Sequence, residues 1–455
     1  MTEDNTPYLL HEDKTWTNLC MLFHTVETLT LSQGITLEHR QALKKAIPQV
    51  VKANPILMGH AAFENDRFYL VPNAFPVNKH SFYEEIDLSD QVPQSFQFSD
   101  ENQHENFQFM EKIILPHCKR GKSKSEVKNK SPLFSFTVFI LTENIICYKM
   151  DMSHIIGDAS TYYALMDQIN STFANEPINP INWDNPLARS SGIFPDRCSE
   201  RDKYRMMGFP LFISVLRNLP KSPFRRHKHF LIDQEIAEEK KLSLVDTSKH
   251  KFLSTNDIIM AALCQMNPNA KLMSMAMNRR GRSNDIDSRD GGNFICIAGL
   301  DGDAGRDPNT IRHIVKRGQF FEPNQVPLKP YLEGKICSVT NWTSLTTFLN
   351  AHSVRTLSHM PVPVKSPADT CVIFKATESC TAISCNFPVR NTFGEDLSLE
   401  DIFIPENNQG TNDSTFGKTF GRAASMVTFV AVIIGLVIGD AFGVGVVVLM
   451  TWLLL

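Results

Sequence analysis

Between residues 134 and 152 apolar side chains alternate along two consecutive runs, and no other feature restricts the fold of this 455-residue chain so tightly. Phe134, Phe136, Val138 and Ile140 occupy every second position of the first run. Ile146, Tyr148, Met150 and Met152 do so in the second, and Thr142-Glu143-Asn144 separates the two. A period of two presents one face of a strand, so the pattern predicts an antiparallel hairpin with that face turned to a core. The second run passes without a break into Ser153-His154-Ile155-Ile156-Gly157-Asp158-Ala159-Ser160. Helical spacing follows, with Asp158 or Ser160 placed to cap and Ala164, Leu165 and Ile169 on the inner face. Strand, turn and helix in that order predict an α/β fold.

The rest of the chain fits around this unit. Thr36 is placed to cap a helix whose inner stripe is Leu43, Ala46, Ile47, Val50 and Val51. Pro48 lies inside that pattern and predicts a kink or an early end. Strands are expected over residues 56–62 and 67–71, and a polar surface loop over 84–107. Residues 119–131, KRGKSKSEVKNKS, read as a solvated basic loop. Residues 175–228 lack periodicity and predict a long crossover between two halves. The second half opens with a strand near His229–Ile232. A helix capped at Ser254 or Thr255 then buries Ile259, Ala262, Leu263 and Met266, and strands and loops run on to about residue 405. The expected units are therefore 1–174, a crossover 175–228, a second subdomain 229–405, a polar linker 406–422 and a terminal segment 423–455.

That terminal segment is of a different kind. From Ala423 to Leu455 the one ionisable residue is Asp440, and the run exceeds the roughly 20 apolar residues that span a bilayer. It predicts a C-terminal membrane anchor, crossing once or turning back at the glycines around Asp440. Lys418 and Arg422 precede it and nothing basic follows, so the positive-inside bias places the body on the cytosolic side. The chain as a whole has the composition of a globular protein, 42% hydrophobic and 21% charged. A net charge of -3 argues against a nucleic-acid partner. Ten scattered cysteines without a C-x-x-C pair argue for reduced thiols and against a zinc site, so no metal is expected.

His154 and Asp158 stand four apart at a strand end. An H-x-x-x-D arises by chance about once in a chain this long, so the position matters more than the spacing. A histidine at the tip of a buried strand can be held rigidly, and its near-neutral pKa suits it to take a proton from a hydroxyl or amine and return it to a leaving group. A buried histidine tied locally to Asp158 explains the same residues equally well at this level.

The turn MSHIIGDAS resembles the active-site turn of the CoA-dependent acyltransferase superfamily, which includes chloramphenicol acetyltransferase, plant alcohol acyltransferases, peptide-synthetase condensation domains and wax ester synthases. Other stretches resemble the family in the expected order: LKKAIPQVVKANPILMGHAAF, FLSTNDIIMAALCQ, MNRRGRSND, GGNFICIA and ICSVTNWTSL, together spanning roughly residues 15–385. The resemblance implies two chloramphenicol acetyltransferase-like subdomains with mixed sheets around a central tunnel, which admits acyl-CoA and an acceptor. It implies His154 as general base, Asp158 as a structural residue paired with Arg280, and Thr340 and Asn341 near the acyl carbonyl. It implies acyl-CoA as co-substrate, no permanently bound cofactor, a monomer, and a small-molecule or lipid alcohol as acceptor. The membrane segment points to a hydrophobic one. The sequence departs from the family in three places. Ser153 stands where many members have a first histidine, Ala159 replaces the usual glycine, and the plant-type D-F-G-W-G is absent. Two other readings fit the same residues, an inactive member that binds acyl-CoA or lipid, and condensation on a carrier-bound substrate.

Overall fold

The computed structural model describes residues 8–9, 25–64, 67–72, 74–79, 81–118, 131–185, 201–202, 205, 209–218, 227–267, 269–282, 284–302, 304–317, 326–349, 353–362, 369–387 and 399–405. They belong to one compact unit, Met1–Asn218 with Arg225–Glu406. The basic run over 119–130, much of the crossover, the polar linker and the apolar segment 423–455 lie outside the described residues. Among the described residues no helix is long and apolar enough to cross a membrane.

Two large sheets carry the fold. The N-terminal sheet is built from β2 (Thr25–Gln33), β5 (Tyr83–Asp87), β6 (Phe134–Ile140), β7 (Ile145–Ser153) and β12 (Arg355–Pro361), in the order β12-β2-β7-β6-β5. The hairpin forms as its alternation predicts, with Phe134 opposite Met152 and Ile140 opposite Ile146. The alternating side chains from both strands enter one core with the helices Leu37–Ala53 and Ala159–Phe173. The second sheet is mixed. It is built from β8 (Lys228–Ile232), β9 (Leu272–Asn278), β10 (Ile295–Asp301), β11 (Ile336–Asn341), β13 (Asp369–Lys375), β14 (Thr381–Cys385) and β15 (Phe403–Pro405), ordered β10-β9-β11-β13-β14-β8-β15. Met273, Met275 and Met277 on one face of β9 pack with the helix Thr255–Met266, which is capped by Ser254 and Asp257 in a reciprocal box. A small sheet joins β1 (Tyr8–Leu9), β3 (His60–Glu64) and β4 (Arg67–Val71).

The halves are interlocked. β12 comes from the later part of the chain but pairs antiparallel with β2 at the edge of the N-terminal sheet. Behind it Leu29, Leu31, Phe139 and Cys147 share a core with Phe374, Ala376 and Ala382 of the second half.

Several expectations are corrected. Residues 56–62 are not one strand: Pro55 opens a 3-10 turn, Pro55–Met58, and extended backbone begins at His60. The proline's fixed φ suits the first turn of a helix. Residues 84–107 are not a loop. β5 pairs parallel with β6 at a sheet edge, where exposed Glu84 and Glu85 are tolerated. The helix Gln103–Phe109 buries Gln103 and Asn106, whose amides bond the backbone of Leu357 at 2.8 Å and of Ser99 at 2.7 Å. Within the crossover Phe209–Asn218 is helical, and helices also form over Gln234–Leu244, Pro308–Arg317 and Leu328–Glu333. Pro48 does not shorten its helix, because the buried stripe on either side of it holds the backbone through to Ala53.

One buried polar contact ties β2 and β12 to the helix behind them. His359 of β12 lies between two hydroxyls, Thr30 Oγ1 2.7 Å from Nδ1 and Tyr163 Oη 2.9 Å from Nε2, so its neutral ring donates to one and accepts from the other. Burial lowers its pKa from 6.5 to about 3. The unfolded chain therefore binds a proton here that the folded chain does not, and stability should fall as pH drops from about 6.5 toward 3. Urea unfolding at several pH values should show that decline reduced in His359→Gln, and an unchanged slope would remove His359 as its source.

Candidate active site

Ser153 ends β7, and the three residues that follow make a turn before the helix Ala159–Phe173. The turn is tight: a Cβ on Gly157 would lie 2.7 Å from the side chain of Thr161. Asp158 caps the helix, its Oδ1 accepting the backbone N–H of Thr161 at 3.0 Å. Ile155 and Ile156 are buried beneath, whereas His154 remains partly exposed.

The second half clamps this turn. Asp158 Oδ2 accepts Arg280 Nη1 at 2.8 Å and the backbone N–H of Phe294 at 3.0 Å. Both side chains of the ion pair are almost fully buried, 4% exposed for Arg280 and 3% for Asp158. Every donor of the guanidinium is used. Nε donates to the Asp290 carbonyl at 2.9 Å, Nη1 also reaches Asn278 Oδ1 at 3.3 Å, and Nη2 donates to Thr161 Oγ1 at 3.0 Å and the Gly292 carbonyl at 2.9 Å. The Arg280 guanidinium lies 4.8 Å from the Phe294 ring centroid. Thr161 Oγ1 in turn accepts the Gly292 N–H at 3.0 Å. A buried charge is tolerable only when paired and fully hydrogen-bonded, and this pair is both.

Asn293 closes the arrangement by donating Nδ2 to the backbone carbonyl of His154 at 2.9 Å. The pKa of His154 is lowered from the ordinary imidazole value. Burial is the main cause, partly offset by its own backbone, the Asp158 charge and Asn293. The ring is therefore neutral at pH 7, the state a general base requires.

The structure brings His154, Asp158 and Arg280 together at one turn. Thr340 and Asn341, at the end of β11, make hydrogen bonds of their own. Thr340 Oγ1 accepts the Trp342 indole N–H at 3.0 Å. Asn341 donates Nδ2 to Asn256 at 2.6 Å and accepts from Thr343 N at 2.8 Å. Thr161, Asn293 and the Gly292 carbonyl were not foreseen. The G-G-N-F run after the arginine strand was the available signal for the last two. The H-x-x-x-D spacing occurs a second time, at His229 and Asp233, and there it is structural. His229 sits within β8 with Nε2 3.0 Å from Glu111, and Asp233 only caps the helix Gln234–Leu244. Among the described residues no cluster of His, Cys, Asp or Glu could hold a metal ion.

No family model matches the sequence, and no curated protein does either. Solved structures do. The Fusarium sporotrichioides protein TRI101, in complex with coenzyme A and T-2, superposes with a TM-score of 0.55 at 12% identity over 82% of this chain and 94% of that one. The polyketide synthase associated protein 5 of Mycobacterium tuberculosis gives 0.52 at 13% identity, over 85% of this chain and 93% of its own. Vinorine synthase also gives 0.52 at 13%, over 85% and 90%. The chain has the fold of the CoA-dependent acyltransferases. The mixed sheets match that fold.

The clamp makes Asp158 a residue of stability. Asp158→Ala should lower unfolding free energy by about 3–5 kcal/mol, the usual cost of stranding one partner of a buried pair. His154→Ala should cost about 1 kcal/mol or less. Urea titration of both variants checks this, and equal losses would contradict it.

Proposed function

We propose that the chain transfers an acyl group from acyl-CoA to the hydroxyl of an acceptor, with His154 as general base. The observation that carries this reading is a neutral imidazole on a partly exposed residue at a strand tip, its turn clamped by groups from the second half, within a fold shared with proteins solved with coenzyme A. In this reading a passage between the halves admits both substrates.

His154 takes the proton from the acceptor hydroxyl as that oxygen forms a bond to the thioester carbonyl carbon. The tetrahedral oxyanion then collapses, the carbon–sulfur bond breaks, and the imidazolium returns its proton to the departing thiolate. The products are an ester and free CoA. Asp158 and Arg280 fix the turn and take no part in the proton transfer. Of the two oxyanion candidates Thr340 is the one favoured here. Its hydroxyl accepts from Trp342 and so keeps its one proton to donate, whereas Asn341 has already committed one of its two amide hydrogens to Asn256. The apolar segment 423–455 would hold this body at the cytosolic face of a membrane, next to lipid-soluble acceptors. An amine in place of the hydroxyl is the less favoured acceptor.

Thiol release from acyl-CoA in the presence of mixed alcohols is the direct assay. His154→Ala should reduce the rate by about 10²–10⁴-fold, and full activity in that variant would end the mechanism. The base works only when unprotonated, so the rate should fall on the acid side through a pKa below 6.5. An acid limb above 6.5 would contradict the depressed His154 pKa. Tight acyl-CoA binding without turnover of any acceptor would instead mark a binding protein.

A further inference from the structure

The two ends of the second sheet differ. At one, β9 leads into Arg280 and the candidate site. The opposite end gathers the starts of four strands: Ile336 lies beside Leu272, Cys337 beside Asp369, and Cys385, closing β14, beside Lys228. β15 runs antiparallel to β8 with Pro405 opposite Phe230, so the described chain leaves the body at this end as well. The polar residues 406–422 and the apolar segment 423–455 follow.

Two helices here leave apolar side chains in the open. In Phe209–Asn218 the residues one turn apart on the inner side, Pro210, Ser214 and Asn218, are buried. Ile213 and Leu216 lie away from that side and stay partly exposed. A surface helix normally buries its apolar side chains and shows its polar ones, yet this one buries a serine and an asparagine. Asn218 Nδ2 donates to the Gly334 carbonyl at 2.9 Å, at the end of the helix Leu328–Glu333. On that helix Leu328 and Leu332, four apart and so on one face, are each 37% exposed. Lys335 follows, and its carbonyl accepts the Lys271 N–H at 2.9 Å, which places the ends of both helices where β9 begins. Positive charge runs along the same end of the sheet. Arg217, Lys228 and Lys271 are exposed and have no ion-pair partner among the described residues. Of the acids nearby, Glu333 pairs with Lys329 and Lys335, Asp369 accepts from Asn267, and Asp301 ends the outer strand β10.

We propose that this end of the sheet is a docking surface for an anionic lipid bilayer. Leu216, Leu328 and Leu332 would enter the headgroup layer, and Arg217, Lys228 and Lys271 would meet lipid phosphates and carboxylates. Two observations select a bilayer as the occupant. The chain leaves the body here on its way to the apolar segment, so the linker need not pass round the protein. The cations match the anionic cytosolic leaflet. A second copy of the chain, or the apolar segment folded back, would cover the leucines and leave those cations without a counterpart. This rests on the membrane tether of the proposed function and not on the chemistry at His154. From Leu272 to Asn278 β9 rises about 20 Å at about 3.3 Å per residue, so docking would hold the candidate site that far above the lipid.

The test reconstitutes the full chain into vesicles of phosphatidylcholine, alone or mixed with phosphatidylserine. The photoreactive residue p-benzoylphenylalanine replaces Leu332, Leu216 or, as a control beyond Arg280, the exposed Asp285, and mass spectrometry identifies the adducts. Phospholipid adducts at Leu332 and Leu216 should exceed those at Asp285 at least tenfold in the mixed vesicles. They should fall at least threefold in phosphatidylcholine alone, and likewise when Arg217→Glu and Lys271→Glu are combined. Equal lipid adducts at the three positions overturn the inference. So do adducts at Leu332 that ignore both phosphatidylserine and the charge reversal, and adducts to residues 423–455 or to a second copy in place of lipid. Flotation of the vesicles separates the claims. Protein that floats without lipid adducts refutes docking and keeps the tether, and protein that does not float refutes both. Neither outcome bears on acyl transfer, which the thiol assay reads by itself.

Discussion

A single buried ion pair organises the candidate site. Asp158 ends the turn that presents His154, and Arg280 reaches it from a loop that follows β9 of the other sheet. An isolated buried charge would be ruinous in this position, so each partner is tolerable only while the other is in place. Folding of one half around Asp158 is thereby coupled to folding of the other around Arg280. The carbonyls of Gly292 and Asp290, the Thr161 hydroxyl and the Phe294 N–H saturate what the pair leaves over. The imidazole is consequently positioned by groups more than a hundred residues away in sequence, and one of them, Asn293, bonds its own carbonyl.

The parts of this arrangement that follow local rules were legible in the sequence. The hairpin at residues 134–153 was, because a period of two admits no other half-buried structure, and so was the cap at Thr36, whereas the caps at Asp158 and Ser254 were legible only as one of two residues each, Ser160 and Thr255 being the others. His154, Asp158 and Arg280 were named by their resemblance to a family, and the spacing alone would have pointed equally to His229 and Asp233. What stayed hidden depends on contacts distant in sequence. The pattern of Arg355–Pro361 does not say that this strand joins the sheet of the other half. The edge strand Tyr83–Asp87 carries outward carboxylates, so its composition imitates a loop.

Lys149, Asp151 and Ser153 occupy the polar positions of an alternating strand, and alternation by itself assigns those positions to water. Lys149 and Ser153 are buried instead, Lys149 against Glu27 and Asp151.

The turn that bears His154 depends on the pairing of Asp158 with Arg280. A double-mutant cycle with Asp158→Asn and Arg280→Met, followed by urea unfolding, measures that dependence directly. The prediction is a coupling of about 2–3 kcal/mol, with the double variant no less stable than the worse single one. Losses that simply add would show that the two residues stabilise the protein independently, and that the turn bearing His154 is not held from the other half.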